Sequence, residues 1–215
     1  MTVGAWFLVA GPLAPSCPLC LGGESSPVRA KVISVLDGDT VLLHSGQRLR
    51  YLGVDAPEIA HEGRPADCYG DAAKAFNSDL VMGKDVRIEY EKDGGRRDSH
   101  GRLTGYVFLM NGQCVNKELL CKGLAFLYSP PGSGPFRLRN EFLQCQREAV
   151  DARRGMWGAC PVKEENFYWV NKANGVFHRP QCNFVPSRVS WRWERIGSRW
   201  DCIRQGCSPC RRCKP

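Results

Sequence analysis

Asp37-Gly38-Asp39-Thr40 sets two carboxylates either side of a glycine, and Asp55-Ala56-Pro57-Glu58 follows shortly after, with Arg50 just before it. A second arginine, Arg102, stands downstream in Asp98-Ser99-His100-Gly101-Arg102. Carboxylate oxygens that hold a hard cation, with guanidinium groups that bond phosphate oxygens bidentately, are the parts that phosphodiester cleavage needs. Taken singly each has a plainer role: Asp37-Gly38 suits a hairpin turn, Asp55 and Pro57 suit a loop, and Arg50 suits a solvated strand. Taken together they suit a centre in which Asp39 and Asp55 converge on one cation, the strand leading to Asp55 also carrying Arg50.

The elements that must position these groups follow from the pattern of apolar residues. Val28 to Leu36 is β-branched and apolar enough for a strand, Asp37-Gly38 turns, and Thr40 to His44 returns. Arg48 to Val54 is a third strand. Tyr69 to Met82 repeats Ala72, Ala73, Phe76 and Leu80 at helical spacing and closes at Gly83. Val86, Ile88 and Tyr90 alternate as in a half-buried strand, Asp93 to Asp98 forms a turn, and Leu103 to Met110 is a fifth strand. Gln113 to Lys122 and Arg139 to Arg154 are helices, joined through the Pro/Gly stretch 129–135. Five short strands with a helix before the fourth predict an α+β domain: a five-stranded OB-fold barrel packed with about three helices.

The runs Asp37 to Val41, Leu49 to Glu58, Tyr69 to Ala73, Asp98 to Arg102, Val115-Asn116 and Gly123-Leu124-Ala125, in this order, resemble the motifs of the staphylococcal nuclease (thermonuclease) family. The resemblance covers about residues 28–158 and implies calcium-dependent endonuclease hydrolysis of DNA and RNA that leaves 3′-phosphates. It assigns Asp39, Asp55 and the Ala56 carbonyl to calcium, Glu58 to the attacking water, and Arg50 and Arg102 to the scissile phosphate. There are two departures from the pattern. His100 stands where the family has a tyrosine, at a nucleotide-contacting position, and Ala56 replaces a threonine, losing a hydroxyl but keeping the carbonyl.

The tail has its own chemistry. Five of the twelve cysteines fall at or after Cys182, and this clustering argues for a metal knuckle there more than a disulfide lattice throughout. His178 and Cys182 form one close pair and Cys210-Arg211-Arg212-Cys213 another, an arrangement suited to a tetrahedral structural zinc site. The tail resembles the zinc-binding module of the Ada DNA-repair family. Cys207 stands where that module departs from its usual ending, so it is a rival ligand, and Cys202 and Cys207 are surplus to four. Residues 163–215 carry 11 Lys and Arg against 4 Asp and Glu, a net +7, which leaves +1 of the total +8 for the rest of the chain. Trp191, Arg192 and Trp193 interleave aromatic and basic side chains that could stack bases and grip phosphates, or else form the module's small core.

The expected organisation is an apolar leader over 1–27, a nuclease-like domain over 28–160 and a zinc module over 161–215. The leader has the length of an export signal's apolar region but lacks its basic start, so secretion or a periplasmic location is set against the cytoplasm. No apolar stretch is long enough to span a bilayer, and a monomer acting on DNA or RNA is expected. Two other classes compete: a nucleic-acid-binding OB and zinc protein without turnover, and a zinc-centred DNA-repair or regulatory protein. The intact carboxylate and arginine set speaks against the first.

Overall fold

The computed structural model describes Met1 and residues 27–92, 96–129 and 135–215. The apolar leader with its Cys17 and Cys20 pair, the tip of the predicted turn after Lys92, and most of the Pro/Gly stretch lie outside the described residues.

The chain runs β1 (Val28–Val35), β2 (Thr40–Leu43), β3 (Arg48–Tyr51), β4 (Val54–Asp55), α1 (Gly70–Val81), β5 (Asp85–Glu89), β6 (Leu103–Leu109), α2 (Val115–Cys121), β7 (Phe126–Leu127), α3 (Arg139–Asp151) and α4 (Met156–Ala159). Five strands close a barrel in the order β1-β2-β3-β6-β5, with β3 and β6 parallel and the other pairings antiparallel. The expected α+β barrel of OB type is therefore present. A register shift between Val32 and Ser34 lets Val32 and Val35, an odd number of residues apart, both face the core. Val41, Leu43, Leu49, Val86, Ile88 and Val107 fill the interior, and α2 and α3 add Leu119, Leu120 and Phe142.

Two expectations about the strands need correction. The third strand does not run through to Val54: β3 stops at Tyr51, Gly53 turns the chain at φ +82°, and β4 leaves the barrel to pair with β7, Asp55 opposite Phe126. Asp55 therefore sits on a separate two-stranded ribbon. The glycine of Asp37-Gly38 is also not there for a positive φ. A Cβ at Gly38 would lie 2.6 Å from Ala56 Cβ and 2.8 Å from Ala73 Cβ, so this glycine lets the turn close onto the Asp55 loop and α1. The Asp39 N–H donates to Asp37 Oδ1 at 2.9 Å and fixes the turn. A Gly38→Ala variant should lose about 1–3 kcal/mol in urea unfolding through overpacking alone.

The C-terminal part consists of β8 (Tyr168–Asn171), β9 (Val176–His178), β10 (Trp193–Ile196), α5 (Arg199–Arg204) and β11 (Ser208–Pro209), with sheet order β10-β8-β9-β11. Its apolar residues Tyr168, Val170, Phe177, Ile196 and Ile203 share one buried cluster with Ala149, Val150, Met156 and Trp157 of α3 and α4. Hydrogen bonds join the parts as well. Gln146 Nε2 donates to the Ile203 carbonyl at 2.8 Å, and Ser208 Oγ donates to the Leu127 carbonyl at 2.7 Å. The latter places β11 beside the ribbon that carries Asp55. Two disulfides, Cys68–Cys160 and Cys121–Cys145, tie the nuclease-like part together. The spacing of these four cysteines gave no indication of pairing, and the clustering argument holds only for the tail.

Candidate active site and metal knuckle

The centre is built around Arg50, whose position on β3 opposite Thr40 brings it beside the turn that carries Asp39. Its Nη1 lies 2.7 Å from Asp39 Oδ2 and donates to the Val54 carbonyl at 2.8 Å, while Nη2 donates to Asp55 Oδ1 at 2.7 Å. One guanidinium thus bridges two buried carboxylates, one from the turn before β2 and one from the β4–β7 ribbon. The Ala56 N–H donates to Asp39 Oδ2 at 2.6 Å, tying the Asp55 loop back to the turn. Behind it, Tyr51 Oη donates to Asn77 Oδ1 at 2.9 Å and Asn77 Nδ2 donates to the Asp37 carbonyl at 3.2 Å, so α1 holds the turn from beneath. Asn116 of α2 donates to the Leu52 carbonyl at 2.8 Å and accepts the Val107 N–H at 2.9 Å, fixing the chain where β3 ends.

Burial pushes the Asp39 carboxyl up to about 8, with Asp37 and Asp55 adding to the rise and Arg50 and the Ala56 N–H opposing it. Loss of water therefore outweighs the contact with Arg50 at this carboxyl. Carboxylate and carbonyl oxygens gathered in such a crevice are the donors that a hard divalent cation takes.

Glu58 stands at the rim, its side chain 47% exposed, with His61 Nε2 4.0 Å away. The Glu58 carbonyl accepts the Asp67 N–H at 2.8 Å, and a side chain at Gly70 would collide with that carbonyl, so α1 starts against the Glu58 loop through a residue without a Cβ. Arg102 precedes β6, and its Nε donates to Asp98 Oδ2 at 2.8 Å. Asp98 Oδ1 also accepts the N–H groups of His100 and Arg102, at 2.9 and 3.0 Å. Burial opposes ionisation of Asp98, but these bonds outweigh it and hold the carboxyl below its usual range. His100 is exposed on this turn.

The structure therefore brings Asp39, Arg50, Asp55, Ala56 and Glu58 together. Arg102 is brought close enough that it, Asp55, Arg50 and Arg211 all act on the half-buried Tyr128, whose phenol is pushed up by burial first and by Asp55 next, the three arginines opposing. Tyr128 was not anticipated; the signal was an aromatic with a polar tip directly after the apolar run Leu124 to Leu127. In sequence Arg211 is only a residue inside the Cys210–Cys213 pair. In the structure its Nη2 and Nε bond both oxygens of Asp55, the latter at 3.2 Å, and its Nη1 lies 3.5 Å from Glu58 Oε1.

In the tail, His178, Cys182, Cys210 and Cys213 present ligand atoms that all lie within 4.8 Å of one another. His178 Nδ1 is 3.4 Å from Cys182 Sγ, and burial lowers the imidazole's pKa, keeping it neutral as a ligand must be. The Arg179 N–H donates to Cys213 Sγ at 3.4 Å, and Arg179 Nε to the Cys213 carbonyl at 3.1 Å. Cys202 and Cys207 are buried free thiols outside this cluster, so the rival ligand Cys207 does not join it. Of the tryptophans, half-buried Trp193 packs on His178 with ring centroids 5.5 Å apart, and Trp200 packs on Trp157 of the buried cluster at 6.3 Å. Trp191 is 78% exposed, with Arg192 over its ring at 5.5 Å. It precedes β10, the sheet edge opposite β11 and the Asp55 ribbon.

A closed barrel carrying paired buried carboxylates bridged by an arginine, with a glutamate at the rim, has the make-up of a phosphodiester-cleaving enzyme. The family described as Staphylococcal nuclease homologue matches residues 48–159. The thermonuclease of Staphylococcus hyicus is 33% identical over 132 residues, which is 59% of this chain and 74% of that protein. Endonuclease YncB of Bacillus subtilis is 33% identical over 147 residues, covering 63% of this chain and 67% of the relative. An uncharacterized protein of Methanocaldococcus jannaschii, MJ1439, is 34% identical over 149 residues, 59% of this chain and 70% of its own length. The chain belongs to the staphylococcal nuclease family and is a nuclease.

Proposed function

We propose that the chain is a calcium-dependent endonuclease that hydrolyses phosphodiester bonds of DNA and RNA. The observation that carries this reading is the buried Asp39–Arg50–Asp55 bridge with Glu58 at its solvent rim. Asp39, Asp55 and the Ala56 carbonyl would hold the ion, which when bound polarises a phosphoryl oxygen and lends the attacking water acidity. Glu58, the motif carboxylate that faces solvent, takes a proton from water as the oxygen of that water bonds to phosphorus. Arg50 and Arg102 hold the equatorial oxygens, where negative charge grows, and so stabilise the transition state more than the bound substrate. The P–O5′ bond breaks and the departing 5′-oxygen takes a proton from solvent, leaving a 3′-phosphate and a 5′-hydroxyl. Asp98 positions Arg102, and His100 meets the nucleotide from the same turn.

The tail cluster suits zinc: one imidazole and three thiolates make a soft set, its members presented by β9, the segment after it and the final turn. The two disulfides favour an exported protein, secreted or periplasmic. No helix among the described residues is long and apolar enough to cross a membrane. Trp191 and Arg192, exposed together, are an ancillary nucleic-acid contact, whereas Trp193 supports His178.

The test is cleavage of single-stranded DNA and of RNA by the pure protein, with calcium and with calcium chelated. Calcium-dependent cleavage that leaves 3′-phosphate ends is expected. Equal rates under both conditions, or no cleavage with calcium, would overturn the reading.

A further inference from the structure

Between the Glu58 loop and the final turn of the chain lies a cleft of about 590 Å³. Pro57, Glu58 and Arg64 line it from the nuclease side, and Lys163, Arg211 and Lys214 line it from the C-terminal part. The barrel side is nearly neutral in sequence and the tail strongly basic, so the charge that would attract a polyanion into this cleft comes mostly from the tail.

Arg211 is presented from a constrained turn. It lies between Cys210 and Cys213 of the ligand cluster. The Cys210 N–H donates to the Phe177 carbonyl at 2.9 Å, Arg179 Nη2 donates to the Lys214 carbonyl at 3.0 Å, and Lys214 pairs with Asp67. Within this frame the Arg211 side chain is still 61% exposed and reaches both Asp55 and Glu58. Arg50, by contrast, is 9% exposed and fixed on its two carboxylates.

We propose that the C-terminal knuckle completes the nuclease centre: Arg211 is a third phosphate-binding guanidinium, holding the phosphodiester next to the scissile one as the strand passes along the cleft. This rests on the nuclease reading above. With Asp55 committed to a divalent cation, Arg211 keeps Glu58 as its partner and turns its remaining donors to the strand, and Lys214, Lys163 and Arg64 continue the basic track. Binding of long substrate is thereby tied to the folding of a metal knuckle far away in sequence.

The experiment compares wild-type protein with Arg211→Ala, Arg211→Lys and Arg212→Ala, the last changing an exposed arginine of the same turn. Zinc content per chain is measured for each. Affinity for a single-stranded oligonucleotide is measured with calcium chelated, so that no turnover is needed. For Arg211→Ala an affinity loss of about tenfold or more is expected from the lost charged hydrogen bonds. The salt dependence should become shallower by about 0.7 in log–log slope, the value for one phosphate contact on a single strand. With calcium, kcat/KM on the oligonucleotide should fall by a similar factor, while a dinucleotide with one phosphodiester is cleaved nearly as before. Arg211→Lys should recover part of the affinity, and Arg212→Ala should resemble wild type. Unchanged affinity in Arg211→Ala with zinc retained would overturn the proposal. Equal losses on both substrates, or equal losses in Arg211→Ala and Arg212→Ala, would overturn it too. A rise in activity with a lower calcium requirement would also overturn it and make Arg211 a plug on the cation site. If Arg211→Ala loses zinc, the neutral but longer Arg211→Gln with zinc retained decides, and wild-type affinity there together with an unchanged salt slope would overturn the proposal. Should the wild-type protein fail to cleave at all, the nuclease reading falls while the chelated binding comparison still decides this one.

Discussion

An Arg50→Met variant should lose both turnover and stability, and an Arg102→Met variant should lose turnover alone. Removing one preorganised donor at developing oxyanion charge costs about 10²–10³ in kcat, so both variants should fall by at least that factor on oligonucleotide substrates. They part in stability because of burial. Arg50 sits 2.7 Å from Asp39 and 2.7 Å from Asp55, with all three side chains at or below 9% exposure. Deleting the Arg50 guanidinium leaves Asp39 without its ion-pair partner and Asp55 with Arg211 alone, a loss of about 3–5 kcal/mol by analogy with broken buried pairs. Arg102 and Asp98 are 28% and 20% exposed at the surface of a turn, where an ion pair contributes about 0–1 kcal/mol. Urea unfolding with calcium chelated, beside initial rates with calcium present, checks both halves. The pH dependence of the Arg50→Met loss has a definite sign. The Asp39 carboxyl, raised by burial even with Arg50 opposing, lies further above its unfolded value without that arginine, so stability is intact below the unfolded carboxylate range and declines as pH rises through the folded value. Equal destabilisation in the two variants would show that the bridge does not organise the crevice.

Most of the centre was legible in sequence because its parts are local. Asp37 to Thr40, Arg50, and Asp55 to Glu58 come from one short stretch of strand and turn, and the barrel's strands announce themselves through Val32, Val41, Leu49, Val86 and Ile88. What period-two patterning does not show is where a strand leaves its sheet. Leu52 and Val54 continue the apolar run of β3, yet Gly53 and the pairing of Asp55 with Phe126 take the chain onto a second ribbon. That pairing joins residues far apart in sequence, and no local signal reports it. The glycine at Gly38 misleads for a related reason. Asp-Gly is a turn signal through φ, whereas here the requirement is the approach of Ala56 and Ala73, which only packing reveals. Sequence leaves Trp193 open between base stacking and the module's small core, and only the structure puts its ring against His178. Arg211 was the least legible of all. Its role depends on how the tail docks onto α3 and the Asp55 ribbon, and a residue inside a ligand pair gives no sign in sequence of which way it faces.

Replacing Cys213 by serine should open the C-terminal part while sparing the barrel. The four-ligand cluster joins the end of β9 to the turn at Cys210–Cys213, and the 27 residues between Cys182 and Cys210 form only short strands and a helix of six residues. So small a unit has little apolar core of its own, and in such modules metal binding supplies most of the folding free energy, about 10–16 kcal/mol in isolated zinc peptides. Amide exchange should therefore lose protection across β8 to β11 and keep it in β1 to β6. The effect does not stop at the tail, because Ala149, Val150, Met156 and Trp157 lose their cover when Tyr168, Phe177 and Ile203 leave. A lower first melting step and a second one near the barrel's own Tm are expected by calorimetry. Cleavage of a dinucleotide should persist below that first step, and affinity for long single strands should fall at least as far as in Arg211→Ala, since that arginine leaves with the turn that carries it. The shared core also makes truncation before residue 163 a folding experiment, whereas the single-ligand variant keeps every apolar residue and tests the metal alone. A Cys213→Ser protein with full exchange protection and unchanged affinity would show that the four side chains cluster without depending on an ion.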